Sequence, residues 1–154
     1  MATGSAAQTQ IPTLQVRRLI KAPRERVYKA WTTPEELKRW HAPGPLHVSL
    51  AELDVRVGGK YSIHMTQPDG KVHKVGGVYR VVDPPNKLVY SWAWEGDEKN
   101  VKDSTVTIEF IEKGNATEVV LTHAIADDKE RASHTEGWNG IMEKLDATYP
   151  GAKS

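Results

Sequence analysis

The residues from Asp127 to Pro150 constrain this chain more than any other stretch. Trp138, Ile141, Met142, Leu145 and Tyr149 recur in steps of three and four, which is the spacing of one helical face. Glu136, Asn139, Glu143, Lys144 and Asp146 fall on the opposite side. Asp127 and Glu130 have the spacing of an N-cap and its reciprocal partner at the third helical position. Pro150 disfavours helical backbone at Tyr149 and sets the stop. A helix over 128–149 is about 30 Å long, enough to cross a small sheet. Gly137 and Gly140 lie inside it, each costing about 1 kcal/mol relative to alanine, so a close approach or a bend is expected there. Ser133 and Glu136 have the spacing of a second capping box, which would make 128–132 a separate turn; the apolar face favours one long helix.

The rest of the chain reads differently. Leu14, Val16 and Arg18 fall on one side of a first strand over 14–20, and Pro23 is placed to open a helix bearing Val27, Tyr28, Ala30 and Trp31. Thr33-Pro34-Glu35-Glu36 predicts a second short helix, with Thr33 as cap and Glu36 reaching back. That helix carries Leu37 and Trp40 and stops before Pro43, Gly44 and Pro45. From Val48 the period becomes two. Strands are predicted at 48–55, around Tyr61, Ile63 and Met65, and through Val75, Gly77, Tyr79 and Val81. Three more follow, through Leu88, Tyr90, Trp92 and Trp94, then Val106, Ile108 and Phe110, then Val119, Leu121 and His123. Pro68-Asp69-Gly70 and Lys113-Gly114-Asn115 mark turns, Gly58-Gly59 a turn needing positive φ, and 95–103 a charged loop. The expected architecture is α+β: one curved antiparallel sheet covered by the last helix, with the two short helices plugging an end. Residues 1–12 are expected to be a disordered tail and 13–150 a single domain.

Composition narrows the function. The 21 basic and 20 acidic residues nearly cancel, so charge argues for neither nucleic acid nor an acidic membrane as partner. No stretch approaches the ~18 apolar residues of a membrane span, and the first ten residues lack the pattern of a secretory leader. With no cysteine, thiol catalysis, disulfides and thiolate metal sites are excluded, in keeping with a cytoplasmic location. Five Trp and five Tyr against one Phe favour surfaces that are half apolar and half wet, such as a pocket wall.

The order of elements, with these words in it, resembles the helix-grip superfamily of START-related and pollen-allergen-like (SRPBCC, Bet v 1-like) proteins. Within it the chain is similar to the family named for the activator of heat-shock-protein-90 ATPase. The matching pieces are Ala22-Pro23, Val27-Tyr28, Ala30-Trp31-Thr32, Pro34-Glu35, Leu37 and Trp40, then Asp54 through Gly59, Pro68-Asp69-Gly70 and Gly77-Val78-Tyr79. Pro84-Pro85 with Leu88, Trp92, Thr117, Leu121-Thr122-His123, His134 and Gly137-Trp138 complete them. The resemblance covers about 14–149 and implies a helix-grip fold. For function it implies a range, from lipid carriers and polyketide cyclases to co-chaperone domains. The namesake activators carry a separate N-terminal domain that this chain has no room for, so a chaperone partner ranks last.

Tyr61, Met65, Tyr79, Tyr90, Trp92, Trp94 and Trp138 are predicted to face inward, as core or as the wall of a cavity whose polar tips water or a ligand would satisfy. Trp40, His123, Ile141 and Met142 complete the expected ligand-binding set. His123 shares the parity of Val119 and Leu121, and His134 lies four residues before Trp138. Two imidazoles facing a cavity suit proton transfer; the plainer reading is that each holds the helix to the sheet by a hydrogen bond. His41, His47, His64 and His73 are placed in loops or at outward-parity strand positions and are assigned no role. No metal-ligand spacing, phosphate loop or nucleophile elbow occurs, so neither a metal nor a cofactor is expected. The leading expectation is a binding protein, monomer or homodimer, for a small apolar or aromatic molecule held between helix and sheet. The rival is a cyclase, dehydratase or hydrolase using the same cavity, with His123 as first candidate and Tyr79 or His134 supporting.

Overall fold

The computed structural model describes residues 11–95 and 104–149. The chain runs β1 (Thr13–Ile20), α1 (Arg24–Thr32), α2 (Pro34–Leu37), β2 (His47–Leu53), β3 (Lys60–Thr66), β4 (Val72–Asp83), β5 (Lys87–Trp94), β6 (Ser104–Lys113), β7 (Ala116–Ala124) and α3 (Asp128–Thr148). The seven strands form one antiparallel sheet in the order β1-β7-β6-β5-β4-β3-β2. Five of the six pairings join strands that follow one another in the chain. Gly70 (φ 95°) and Gly114 (φ 64°) supply the left-handed residues of two hairpins, and Asp69 Oδ1 accepts from Lys71 N at 2.9 Å. The sixth pairing, β1 with β7 in register Leu14↔His123, joins the first strand to the last and has no local cause. Residues 1–10 of the tail expected at 1–12, residues 96–103 of the loop, and Pro150 lie outside the described residues; Pro12 O accepts from Ile125 N at 2.9 Å.

Helix α3 lies across the inner face of the curled sheet, so the fold is the expected α+β helix grip. It buries His134, Trp138, Ile141, Met142 and Leu145 against a core that includes Val16, Val106, Ile108 and Leu121. It is one continuous helix, and Asp127 Oδ2 accepts from Glu130 N at 2.8 Å. The reciprocal half of the capping box is not made: the Glu130 carboxylate points along the helix, 3.8 Å from His134 Nδ1. Asp127→Ala is expected to cost about 1 kcal/mol, the usual value of a side-chain N-cap, read as a lower urea midpoint with an unchanged slope. The far end of α3 is tied down too. Glu36, expected to cap α2, instead accepts from Arg26 Nη1 and from Tyr149 Oη, each at 2.6 Å, while the Arg26 guanidinium lies 4.9 Å from the Tyr149 ring centroid. Thr33 makes no capping bond. Arg18 reaches α3 from β1, with Nε 3.0 Å from Asp146 Oδ2.

Two irregularities curl the sheet. Register shifts between Val48 and Leu50 and between Tyr79 and Val81 insert a residue into one strand of each pair and bend it. The second corrects an expectation: Val81 does not share the face of Val75 and Tyr79 but is exposed, because the shift inverts the alternation beyond Tyr79. His41 is a second correction. It is 1% exposed, packed among Trp31, Trp40, Trp92 and Trp138 with ring centroids 5.4–6.1 Å away. Its spacing of four from Leu37 was the available signal, since His41 N closes a helical bond to Leu37 O at 3.0 Å. Among the described residues no helix is long and apolar enough to cross a membrane.

Candidate functional site

Between α3 and strands β3–β5 the packing leaves a cleft of about 140 Å³. Its sheet side is formed by Met65, His73, Trp92 and Trp94, and its helix side by Ser133, His134, Gly137, Trp138 and Ile141. Pro43 and Leu46, from the loop after α2, close the rim. That loop is held against the helix: Lys144 Nζ donates to Leu46 O at 3.0 Å, and Pro43 rests on the bare backbone of Gly140. The aromatic wall follows from the alternation of β5, which puts Trp92 and Trp94 on one side of the sheet, their rings edge to face at 5.6 Å. Trp138 meets Trp92 from the helix at 4.9 Å.

The two histidines are locked in a reciprocal arrangement. Trp138 on the helix donates its indole N–H to His123 Nδ1 on β7 at 3.1 Å. Trp94 on the sheet donates to His134 Nε2 on the helix at 3.0 Å. An indole only donates, so each accepting nitrogen is unprotonated and the other ring nitrogen carries the proton. His123 Nε2–H therefore donates to Ser104 Oγ at 2.7 Å, whose hydroxyl donates to Trp92 O at 3.0 Å. His134 Nδ1–H donates to Glu130 O at 2.7 Å. Burial, with His134 close by, pushes the His123 imidazole down to about 3, and burial pushes His41 down to about 4. At neutral pH His123 is thus a fixed neutral connector with both nitrogens engaged, poorly suited to taking up a proton.

Of the residues singled out from the sequence, Met65, Trp92, Trp94, His134, Trp138 and Ile141 meet at the cleft. The others do not reach its wall. Tyr61, Tyr79 and Tyr90 pack on one another with centroids 5.1–5.8 Å apart, beside a separate void of about 10 Å³. Tyr61 Oη donates to Ser91 O at 2.6 Å, and burial raises the Tyr79 hydroxyl far above its ordinary range. Trp40 stacks edge-on against Trp31 at 4.6 Å, His123 lies behind Trp92 at 5.5 Å, and Met142 is fully buried core. Pro43, Leu46, His73, Ser133 and Gly137 were not anticipated. His73 is a correction: placed in a loop or at outward parity, it instead lies in β4 with the parity of Val75 and Tyr79 and lines the cleft; its Nε2 lies 2.5 Å from Gln67 Oε1. Among the described residues the indole N–H groups of Trp31, Trp40 and Trp92 and Nδ1 of His41 are buried without a hydrogen-bond partner. Such groups are costly to leave unmade, and Trp92 belongs to the wall of the cleft. No group of three or more described His, Asp or Glu side chains is placed to hold a metal ion.

A protein of Chromobacterium violaceum is 26% identical, the match covering 91% of this chain and 98% of that one with a TM-score of 0.83. The AHSA1 protein of Silicibacter pomeroyi is 28% identical over 89% of this chain and 96% of its own, TM-score 0.77. An AHSA1-like protein of Aeromonas hydrophila shares the fold at 24% identity, covering 88% and 90% of the two chains with a TM-score of 0.74. No curated protein matches the sequence. The model of the family described as activator of Hsp90 ATPase homolog 1-like protein matches residues 21–149, which takes in both short helices, strands β2–β7 and the whole of α3, and the chain belongs to that family.

Proposed function

We propose that this protein binds a compact aromatic or apolar small molecule in the cleft between α3 and strands β3–β5. The observation that carries the reading is the cleft itself: about 140 Å³ walled by Met65, Trp92, Trp94, Trp138 and Ile141. An apolar cavity of about 150 Å³ takes up benzene, whereas drug-sized ligands occupy about 300–1,000 Å³. The volume therefore favours one ring or a short branched chain over an acyl chain or a polyketide. Binding is favoured over cyclisation, dehydration or hydrolysis because the first candidate for an acid–base group, His123, has both nitrogens committed. A role beside a chaperone draws on the family's name; the exposed large apolar side chains among the described residues are Ile11, Leu19, Val57, Val72, Val81 and Ile111, of which Leu19 and Ile111 flank Glu118 in the sheet.

The test is a two-dimensional NMR titration with toluene, indole and p-cresol, with palmitate as the oversized control. Ring-sized compounds are expected to shift the indole N–H signals of Trp94 and Trp138 and the methyls of Ile141. At about a hundred times Kd they should add about 2.7 kcal/mol of stability, a rise in Tm of several degrees for a chain of this size. Palmitate should do neither. An absence of shifts and of stabilisation across the whole set would remove the proposal.

A further inference from the structure

Gly137 has no structural reason to be glycine, and that makes it informative. Gly44, Gly58, Gly70 and Gly114 have positive φ. At Gly59, Gly76 and Gly77 a Cβ would run into the carbonyl oxygens of Asp54, Tyr61 and Ser91 respectively. At Gly140 it would touch Pro43 Cβ at 3.4 Å, Pro43 Cα at 3.5 Å and Gly44 N at 3.6 Å, an ordinary packed contact with the rim loop. Gly137 lies within α3, and a Cβ there would have a single neighbour within 4 Å, Pro43 Cγ at 4.0 Å. Glycine weakens a helix interior, and here no crowding and no turn asks for it. What adjoins its Cα is the cleft.

We infer that Gly137 sets the size limit of the cleft: the bare helix backbone at this position leaves room for a flat apolar ring to lie against α3, and any side chain there takes that room. The inference rests on the small-molecule reading and deepens it, placing the ring between the backbone of α3 at Gly137 and the indoles of Trp92 and Trp94. Glycine commonly serves where a ligand must approach backbone closely. One turn along the helix Gly140 faces Pro43 rather than the cleft, so the two glycines separate helix stability from cleft volume.

Gly137→Ala, Gly137→Leu and Gly140→Ala are compared with the wild type for Tm, for affinity toward toluene and indole, and for xenon-induced shifts of the Ile141 and Met65 methyls. Gly140→Ala and Gly137→Ala should both raise Tm by about 2–5 °C, the gain of replacing glycine in a helix of a protein this size. Gly140→Ala should keep wild-type affinity for both rings. Gly137→Ala should weaken both roughly ten-fold or more, as overpacking does in a filled space. Gly137→Leu should exclude xenon as well; should it fail to fold, the two alanine variants carry the comparison. Equal ring affinity in Gly137→Ala, Gly140→Ala and the wild type overturns the inference and leaves the binding reading standing. Xenon entering the wild type but not Gly137→Leu, with neither ring bound by the wild type, upholds the size limit and removes the reading of ring binding. Xenon excluded from the wild type overturns both.

Discussion

Replacing Trp138 with alanine is expected to cost about 3–5 kcal/mol, the range for deleting a large aromatic side chain from a packed core. The upper end applies here for two reasons. Trp138 is only 2% exposed, lying against Trp31, His41, Trp92 and His123 with ring centroids 4.9–6.4 Å away. Truncation also strands His123 Nδ1, which is buried and has Trp138 Nε1 as its donor. Trp138→Phe separates the two effects: it keeps most of the ring and removes the N–H, and should cost about 1–3 kcal/mol, the penalty for a buried acceptor left without its partner. Against a usual total of about 5–15 kcal/mol, Trp138→Ala takes away a large share of the stability of the fold. Urea denaturation of the three proteins measures both numbers. A loss under about 1 kcal/mol for Trp138→Ala would mean that α3 is not held to the sheet through this side chain.

Acid is expected to destabilise this protein earlier than carboxylate titration alone would. Two imidazoles are buried in their neutral form, His41 pushed down to about 4 by burial and His123 to about 3 by burial and by His134 nearby. In the unfolded chain both take up a proton near 6.5. Their contribution is therefore fully present above about pH 6.5 and is lost as pH falls, the loss continuing until the folded values are reached. Each group adds a slope of at most about 1.4 kcal/mol per pH unit within its window, so the pair adds roughly 2 kcal/mol per unit between pH 6 and 4. Glu36 enters lower down: burial raises its carboxyl, but bonds from Tyr149 and Arg26 outweigh this and hold it below its ordinary value, so its contribution disappears only below the ordinary carboxylate range. The measurement is unfolding free energy at half-unit steps from pH 7.5 to 4. His41→Phe, which keeps a ring among the tryptophans, should roughly halve the slope in the upper part of that window. A wild-type curve that is flat between pH 6.5 and 5 would contradict the neutral, buried state of both histidines.

Much of the fold was written in local pattern. The change of period near Val48 and again after His123, the cap at Asp127 and the turn glycines Gly70 and Gly114 are properties of a few neighbouring residues. They sufficed to call for a long helix across an antiparallel sheet. Alternation also told which side of β5 the residues Trp92 and Trp94 take, and helical spacing told that Trp138 and Ile141 face them. Local pattern failed wherever the outcome depended on a distant partner. Glu36 has the spacing of a capping residue but is drawn off by Arg26 and Tyr149. Val81 has the parity of a core residue until a register shift against β5 turns it out. Tyr61, Tyr79 and Tyr90 carry the same inward signal as the tryptophans, yet they fill space with one another.

The sequence by itself determined most of which side chains leave water, Val81 and His41 apart, because burial follows from a periodicity of two or of three to four that most segments carry within themselves. Only the tertiary structure decided where those side chains leave a gap. A cleft is the space left over by three segments far apart in the chain, here 43–46, 65–94 and 133–141, and its volume depends on how closely they approach. The same closure selects hydrogen-bond partners: His123 and His134 become connectors rather than bases only once Trp138 and Trp94 arrive from the facing element. Gly137 belongs to this second kind of information, since along the chain it reads as a helix defect and only its place beside the cleft gives the missing side chain a use.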